Sequence, residues 1–219
     1  MSHAAPRPPS RLLDGLQSPD RERADAILAR SPTIDLDRRA PRYPPAFAGA
    51  ALLVVEEGFV VVRATFPADA RSVVTVEAGP GAVLLPPTGD EVLVALGPAR
   101  VTVVSADARD QLLASPALAR RVVDQLAAGL AQRQEALANF APTRHADRVR
   151  RKLLQLARGY GHVVRDGIRI DVPLNHALLA EMIGSSRETV TRALDELQRE
   201  GFVLRDGSTY RLHVSAESL

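Results

Sequence analysis

Between residues 50 and 104, residues that interrupt regular structure recur at intervals of roughly ten, and that spacing leaves no room for helices. The intervening runs are "AALLVVEEGFVVVRATF", "SVVTVEAG", "AVLLPP", "DEVLVALG" and "ARVTVVSA". All are rich in Val and Leu and are separated by Gly, Pro or Asp. Short β-branched runs between close turn signals indicate a small all-β sandwich or barrel.

From about Asp107 the period changes. Ala119, Val123, Leu126, Leu130, Arg133, Leu137 and Phe140 follow an alternating 3-4 spacing, the seam of a coiled coil with one polar interruption. No Pro falls between Pro116 and Pro142, so one long helix is expected there. So narrow an apolar stripe meets another helix or packs onto the β-domain. The chain offers no second helix of matching length, which favours pairing with its own copy about a two-fold axis. The expected dimer interface is Val123, Leu126, Leu130 and Leu137.

Upstream, "SPDRERADAILARS" reads as a short helix with Ser18 as N-cap and Pro19 in the first helical position. The preceding "MSHAAPRPPSR" has no apolar core of a secretory signal and reads as a loose tail, so a cytoplasmic protein is expected. No apolar run approaches a membrane span. The chain has no Cys, which excludes disulfides, thiolate nucleophiles, Cys-ligated zinc and iron–sulfur clusters.

Charge singles out the last third. Residues 1–142 carry 15 Arg/Lys against 16 Asp/Glu, and residues 143–213 carry 13 against 9. A basic C-terminal region suggests a polyanionic partner. The run Arg148, Arg150, Arg151 and Lys152 reads by itself as a solvated helix face, on a helix in "TRHADRVRRKLLQLARGYG" that Gly159 or Gly161 ends. His145, His162 and His176 read as surface or capping residues.

After the strand "IRIDVPL" comes "NHALLAEMIGSSRETVTRALDELQREG". Asn175 is placed to cap a helix that buries Leu178, Leu179, Met182 and Ile183. Gly184 allows a turn of positive φ. Ser185 is expected to start a second helix, with Glu188 completing a capping box and Val190, Leu194 and Leu197 buried. Two short helices about a Gly turn make a helix-turn-helix, and Asp206-Gly207 between alternating runs adds a hairpin. Ser186, Arg187, Glu188, Thr189, Thr191 and Arg192 are left outside on the second helix. Arg donates twice to guanine and Glu accepts from cytosine, while hydroxyls suit phosphate oxygens. These residue types make Arg187, Glu188 and Arg192 candidates for base edges, and Ser186, Thr189 and Thr191 candidates for phosphates. The competing reading gives Glu188 only the capping role and Arg192 a solvated ion pair with Asp195 or Glu196.

"GSSRETVTRALDELQREGFV" followed by a Gly-containing hairpin resembles the winged helix-turn-helix of the Crp–Fnr transcription regulators. The family's S-R-E-T-V-x-R core is present at Ser186, Arg187, Glu188, Thr189, Val190 and Arg192. The resemblance extends to the order of parts and implies an α+β fold. A flexible tail (1–17) precedes a β-roll like a cyclic-nucleotide-binding jelly roll (18–108), a dimerisation helix (109–141) and a winged helix-turn-helix (142–219). It implies that Arg187, Glu188 and Arg192 touch base edges and that Ser186 and Thr189 hold phosphates, in a homodimer on a palindromic site in double-stranded DNA, with RNA polymerase as a further partner if the protein activates.

The resemblance weakens in the roll. The cyclic-nucleotide form carries a Gly-Glu pair for the ribose and an Arg-Ser/Thr pair for the phosphate. Here Gly79-Pro80-Gly81 is followed by Ala82-Val83-Leu84-Leu85, and Asp90-Glu91 stands further on. A buried phosphate without Arg or an amide cradle is disfavoured, so no response to cyclic AMP in the usual pocket is expected. No cofactor or metal is expected, and the effector is left open. Residues 34–49, "IDLDRRAPRYPPAFAG", suggest that early strands are missing or replaced by a loop. Two other functions compete. A cupin-like metal enzyme would need a His/Glu cluster, yet residues 50–106 contain no His. A winged helix that binds protein would leave the exposed Arg187, Glu188 and Arg192 set without a purpose.

Overall fold

The run Leu52-Leu53-Val54-Val55 shows no alternation because its strand, β2 (Ala50–Glu57), is buried on both faces. Leu53 and Val55 face a core with Leu36, Val60, Val62, Val76, Leu93 and Val101. Leu52 and Val54 turn the other way, to Leu12, Leu13, Ala24, Ile27, Leu28, Leu112, Leu118 and Val122. Each such Leu or Val contributes about 1.5–3 kcal/mol by leaving water.

The computed structural model describes residues 10–38, 40–66, 71–138, 144–207 and 209–214. Contacts group the chain into two units, one from residues up to Arg63 with Val76–Gln132, the other from Ala64–Thr75 with Arg133 onward. The first unit holds most of the roll and what packs on it, with the far part of the β3–β4 hairpin and the last turns of α3 grouped in the second. Its elements are α1 (Asp20–Arg30), β1 (Thr33–Leu36), β2, β3 (Val60–Phe66), β4 (Arg71–Ala78), β5 (Val83–Leu84), β6 (Glu91–Ala95) and β7 (Ala99–Ser105), followed by α2 (Ala106–Leu113) and α3 (Pro116–Ala138). The strands form one sheet in the order β1-β7-β2-β5 and another in the order β4-β3-β6.

Several expectations for this half need correction. Residues 11–13 are a 3-10 turn rather than part of a flexible tail, because Leu12 and Leu13 are buried in the roll's second core. Residues 1–9 lie outside the described residues. Ser18 does not cap α1; its hydroxyl bonds the Glu22 carboxylate, and no side chain caps the helix. The early strand is kept: β1 pairs antiparallel with β7, and Arg42 bridges Leu93 through backbone bonds of 2.8 and 2.9 Å. The segment from 109 is two helices, since α2 stops at Leu113 and Pro116 begins α3. On α3, Leu118 and Val122 are buried and Leu126 packs partly on the same core, so Leu126 is at least in part a residue of the roll. Val123, Leu130 and Leu137 stay 62, 58 and 69% exposed. Phe140 lies outside the described residues.

The second unit carries α4 (His145–Tyr160), β8 (Gly161–Val164), β9 (Gly167–Ile170), α5 (His176–Ile183), α6 (Arg187–Arg199), β10 (Val203–Asp206) and β11 (Thr209–Leu212). The strands form a sheet in the order β10-β11-β9-β8. The Asp206-Gly207 turn joins β10 to β11 with Gly207 at φ 62°. Strand β8 begins at the Gly that ends α4 and pairs antiparallel with β9. Gly161 is the residue that ends α4, and a side chain there would meet Ala157 O at 2.3 Å. Val149, Leu153, Leu156 and Ala157 form the inner face of α4.

Candidate nucleic-acid interface

The helix-turn-helix is built by local chemistry. Asn175 Oδ1 accepts from the Leu178 amide at 2.8 Å and starts α5. Gly184 ends it at φ 60°, ψ 47°, the left-handed region where side chains are strained. The turn is closed by Ser185 N–H donating to Ala180 O at 2.9 Å. Helix α6 then opens one residue later than the sequence suggested. Ser186, not Ser185, is its N-cap, and its Oγ accepts from Thr189 N at 3.2 Å. The Ser185–Glu188 capping box therefore does not form. Glu188 is held otherwise: its own backbone amide, then the Ser186 hydroxyl, keep its carboxyl below the usual range, with Arg187 and Arg192 adding to the effect.

Val190, Ala193, Leu194 and Leu197 bury the inner face of α6. Arg187, Glu188 and Arg192 are exposed on its first two turns. Among the described residues no ion pair holds either arginine, and Glu196 pairs instead with Arg144 at 3.9 Å. That removes the reading of Arg192 as a solvated ion pair. The hydroxyls differ from one another. Ser186 Oγ and Thr189 Oγ1 lie 2.9 Å apart at the exposed start of α6. Thr189 and Thr191 are both half-buried, but Thr191 donates to Arg187 O at 2.9 Å and lies 2.8 Å from His176 Nδ1. Its hydrogen is engaged, so Thr191 is the weakest of the three as a phosphate donor.

A clamp behind the turn has no sequence signature. The run Arg148, Arg150, Arg151 and Lys152 reads as a solvated face, yet Arg148 and Lys152 are buried at 7 and 6% exposure. Arg148 donates from Nη1 to Ile183 O at 3.1 Å and from Nη2 to His145 Nδ1 at 2.7 Å. His145 is in turn 3.2 Å from Ser185 Oγ. The last carbonyl of α5 and the turn before α6 are thereby tied to α4. Burial first, then Arg148 and Arg192, lower the affinity of His145 for a proton. His145 is an exposed residue held by Arg148 and Ser185, and His176 is half-buried against Thr191. Only the i, i+4 spacing of Arg148 and Lys152, each directly before an inner-face residue (Val149, Leu153), could have hinted at burial. Elsewhere on α4, Arg150 pairs with Glu200 and lies 4.3 Å over the Phe202 ring, anchoring the wing.

The roll's turn is filled by the chain itself. Gly81 N–H donates to Val55 O at 2.7 Å, and Ala82 N–H to Gly79 O at 3.1 Å. A Cβ on Gly81 would lie 3.0 Å from Arg11 Cβ and 3.2 Å from Leu12 N. Arg121 Nη1 donates to Leu12 O at 2.5 Å, holding that segment down. Gln132 takes both backbone groups of Glu77, accepting from its N–H at 2.8 Å and donating to its C=O at 3.2 Å. Residues 77–91 contain no Arg. This stretch offers a phosphate no Arg, and the Gly81 and Ala82 amides are already bonded within the chain. Among the described residues no group of three or more His, Asp or Glu is placed to hold a metal. No helix among them is long and apolar enough to cross a membrane.

Comparison with known proteins adds the following. Residues 147–215 match the model of the Crp-like helix-turn-helix domain. The Global nitrogen regulator of Synechococcus elongatus is 35% identical over 92 residues, 42% of this chain and 41% of that protein. The chain spans less than half the length of the curated relatives it matches. A CooA mutant from Carboxydothermus hydrogenoformans superposes with a TM-score of 0.73 at 20% identity, over 86% of both chains. A transcriptional regulator of the CRP/FNR family from Thermus thermophilus does so at 0.62 and 21%, over 85% of this chain and 95% of its own. At these identities the superpositions establish the fold.

Proposed function

We propose that this chain, a Crp–Fnr family regulator by its helix-turn-helix match and its fold, binds double-stranded DNA sequence-specifically as a homodimer. The observation that carries the reading is the exposed set Arg187, Glu188 and Arg192 on the first two turns of a helix capped by Ser186. In helix-turn-helix proteins this part of the second helix enters the major groove. Arg187 and Arg192 offer paired donors to guanine, and Glu188 offers an acceptor to cytosine. Ser186 and Thr189 sit where phosphate oxygens pass the helix start. The hairpin β10–β11 lies beside the backbone as a wing.

The uncovered Val123, Leu130 and Leu137 support pairing of α3 with its copy. Two copies of α6 then read the halves of a palindrome about one helical turn apart. The blocked turn at Gly79–Ala82 supports a regulator that does not respond to cyclic AMP in the usual pocket. If the protein activates, RNA polymerase is its further partner. Localisation in the cytoplasm follows from the same role.

Selection of bound sequences from random DNA tests this reading. A palindromic consensus, with affinity falling steeply as salt rises, is the expected result. Arg187→Ala should lose discrimination at one base pair, costing about 1–3 kcal/mol. Equal binding of all sequences by both proteins would overturn the assignment.

A further inference from the structure

Two hydrogen bonds at the start of α6 decide the state of a histidine. Thr191 Oγ1 donates to Arg187 O at 2.9 Å and lies 2.8 Å from His176 Nδ1. A hydroxyl has one hydrogen. With that hydrogen on the Arg187 carbonyl, Oγ1 accepts from His176. The ring therefore carries its proton on Nδ1, and in the neutral form Nε2 is bare. His176 is the first residue of α5, while Arg187 and Thr191 belong to the opening turns of α6. The contact thus fastens one helix of the motif to the other at the end offered to DNA.

The second histidine of the motif is arranged the opposite way. Arg148 only donates, so His145 Nδ1 accepts, and a proton added there breaks the clamp on the turn. A proton added at His176 Nε2 breaks nothing. The charged groups that face His176 are Arg205 from β10 and Arg187 and Asp195 from α6. Burial first, then Arg205 and Arg187, hold it below the usual 6.5, against the opposing pull of Asp195. The free protein accordingly keeps this ring neutral at pH 7. A DNA backbone reaching α6 brings anions toward Arg187 and Arg205 and reverses the local field.

We infer that His176 is a positioning residue for DNA binding, holding Thr191 through Nδ1–H and taking up a proton at Nε2 when the DNA backbone arrives. The inference rests on the DNA-binding reading above. The sign follows from linkage. The ring binds a proton more tightly in the complex than in the free protein, so the added affinity is complete below the free ring's titration. It disappears as pH rises through the titration of the complex. One unit of difference between the two states is about tenfold in affinity.

The test uses the full chain and a labelled duplex carrying its selected site, at fixed salt, from pH 8 to pH 6. Wild type should bind about three- to tenfold tighter at the acid end. His176→Asn places an amide N–H where Nδ1–H stood and has nothing to titrate; its affinity should be flat across the range. His176→Ala loses the donor as well and should be flat and weaker than His176→Asn at every pH. A wild-type profile without slope, or an Asn variant that keeps the slope, overturns the inference while leaving DNA binding intact. Equal affinity of all three proteins for selected and scrambled duplexes at every pH overturns the DNA-binding reading and this inference with it.

Discussion

Replacing Ser186 by Ala and by Gly separates two tasks given to one hydroxyl. Its Oγ accepts from Thr189 N at 3.2 Å and lies 2.9 Å from Thr189 Oγ1, and the residue is exposed, so no burial is lost on truncation. An N-cap Ser changed to Ala costs about 1 kcal/mol, whereas Gly costs a few tenths, because Gly leaves the helix end open to solvating water. A loss of about 1 kcal/mol corresponds to about a fivefold rise in local opening. Exchange of the Thr189 amide, followed by NMR, should speed up about fivefold in Ser186→Ala and less than about twofold in Ser186→Gly. DNA affinity should respond differently. Both variants lack the hydroxyl that meets phosphate, so both should lose about tenfold or more, as for a hydrogen bond to a charged acceptor. The salt slope should stay unchanged, since no cation is removed. Equal amide exchange in Ala, Gly and wild type would refute the cap. Wild-type affinity in both variants would refute the phosphate contact.

Three further perturbations test the scaffold. Arg148→Ala leaves the buried Ile183 O without its donor and removes one of the two partners of His145 Nδ1, and should destabilise the C-terminal unit by about 2–4 kcal/mol in denaturant unfolding; a loss under about 0.5 kcal/mol would mean the clamp is idle. Tyr210 is 1% exposed and its hydroxyl has no partner among the described residues. Tyr210→Phe should therefore be neutral or stabilising by up to about 1 kcal/mol, and a clear loss would reveal a partner for the hydroxyl. Leu130→Asp puts a carboxylate in the middle of the exposed stripe of α3. Sedimentation should report a monomer where wild type is a dimer, and an unchanged dimer would place the interface elsewhere.

Much of the site was legible because it depends on neighbours within a few positions. Asn175, Gly184, the buried series Val190, Leu194 and Leu197, and the Asp206-Gly207 turn all act through the backbone of their own segment. The one-residue shift of the cap from Ser185 to Ser186 shows the limit. Both serines satisfy the local rule, and closure of the turn by Ser185 N–H onto Ala180 O selects between them. Likewise β1 and β7 are 63 residues or more apart at every paired position, such as Leu36 with Ala99 and Ile34 with Val101. No local pattern in the Pro-rich stretch that follows β1 announces that pairing.

The sequence by itself determined the two periods, the cut between a β-roll and a helical half, and the outward set Arg187, Glu188 and Arg192, since periodicity and capping are properties of a single segment. The tertiary structure decided which polar groups are interior. Arg148 and Lys152 look like surface residues until α5 and α6 cover them, and His176 acquires its tautomer only when Thr191 of another helix stands against it. Leu12 and Leu13 likewise become core only because β2, α1 and α3 come together around them. Burial and hydrogen-bond partnership depend on residues distant in the chain, and those distances close only in the folded molecule.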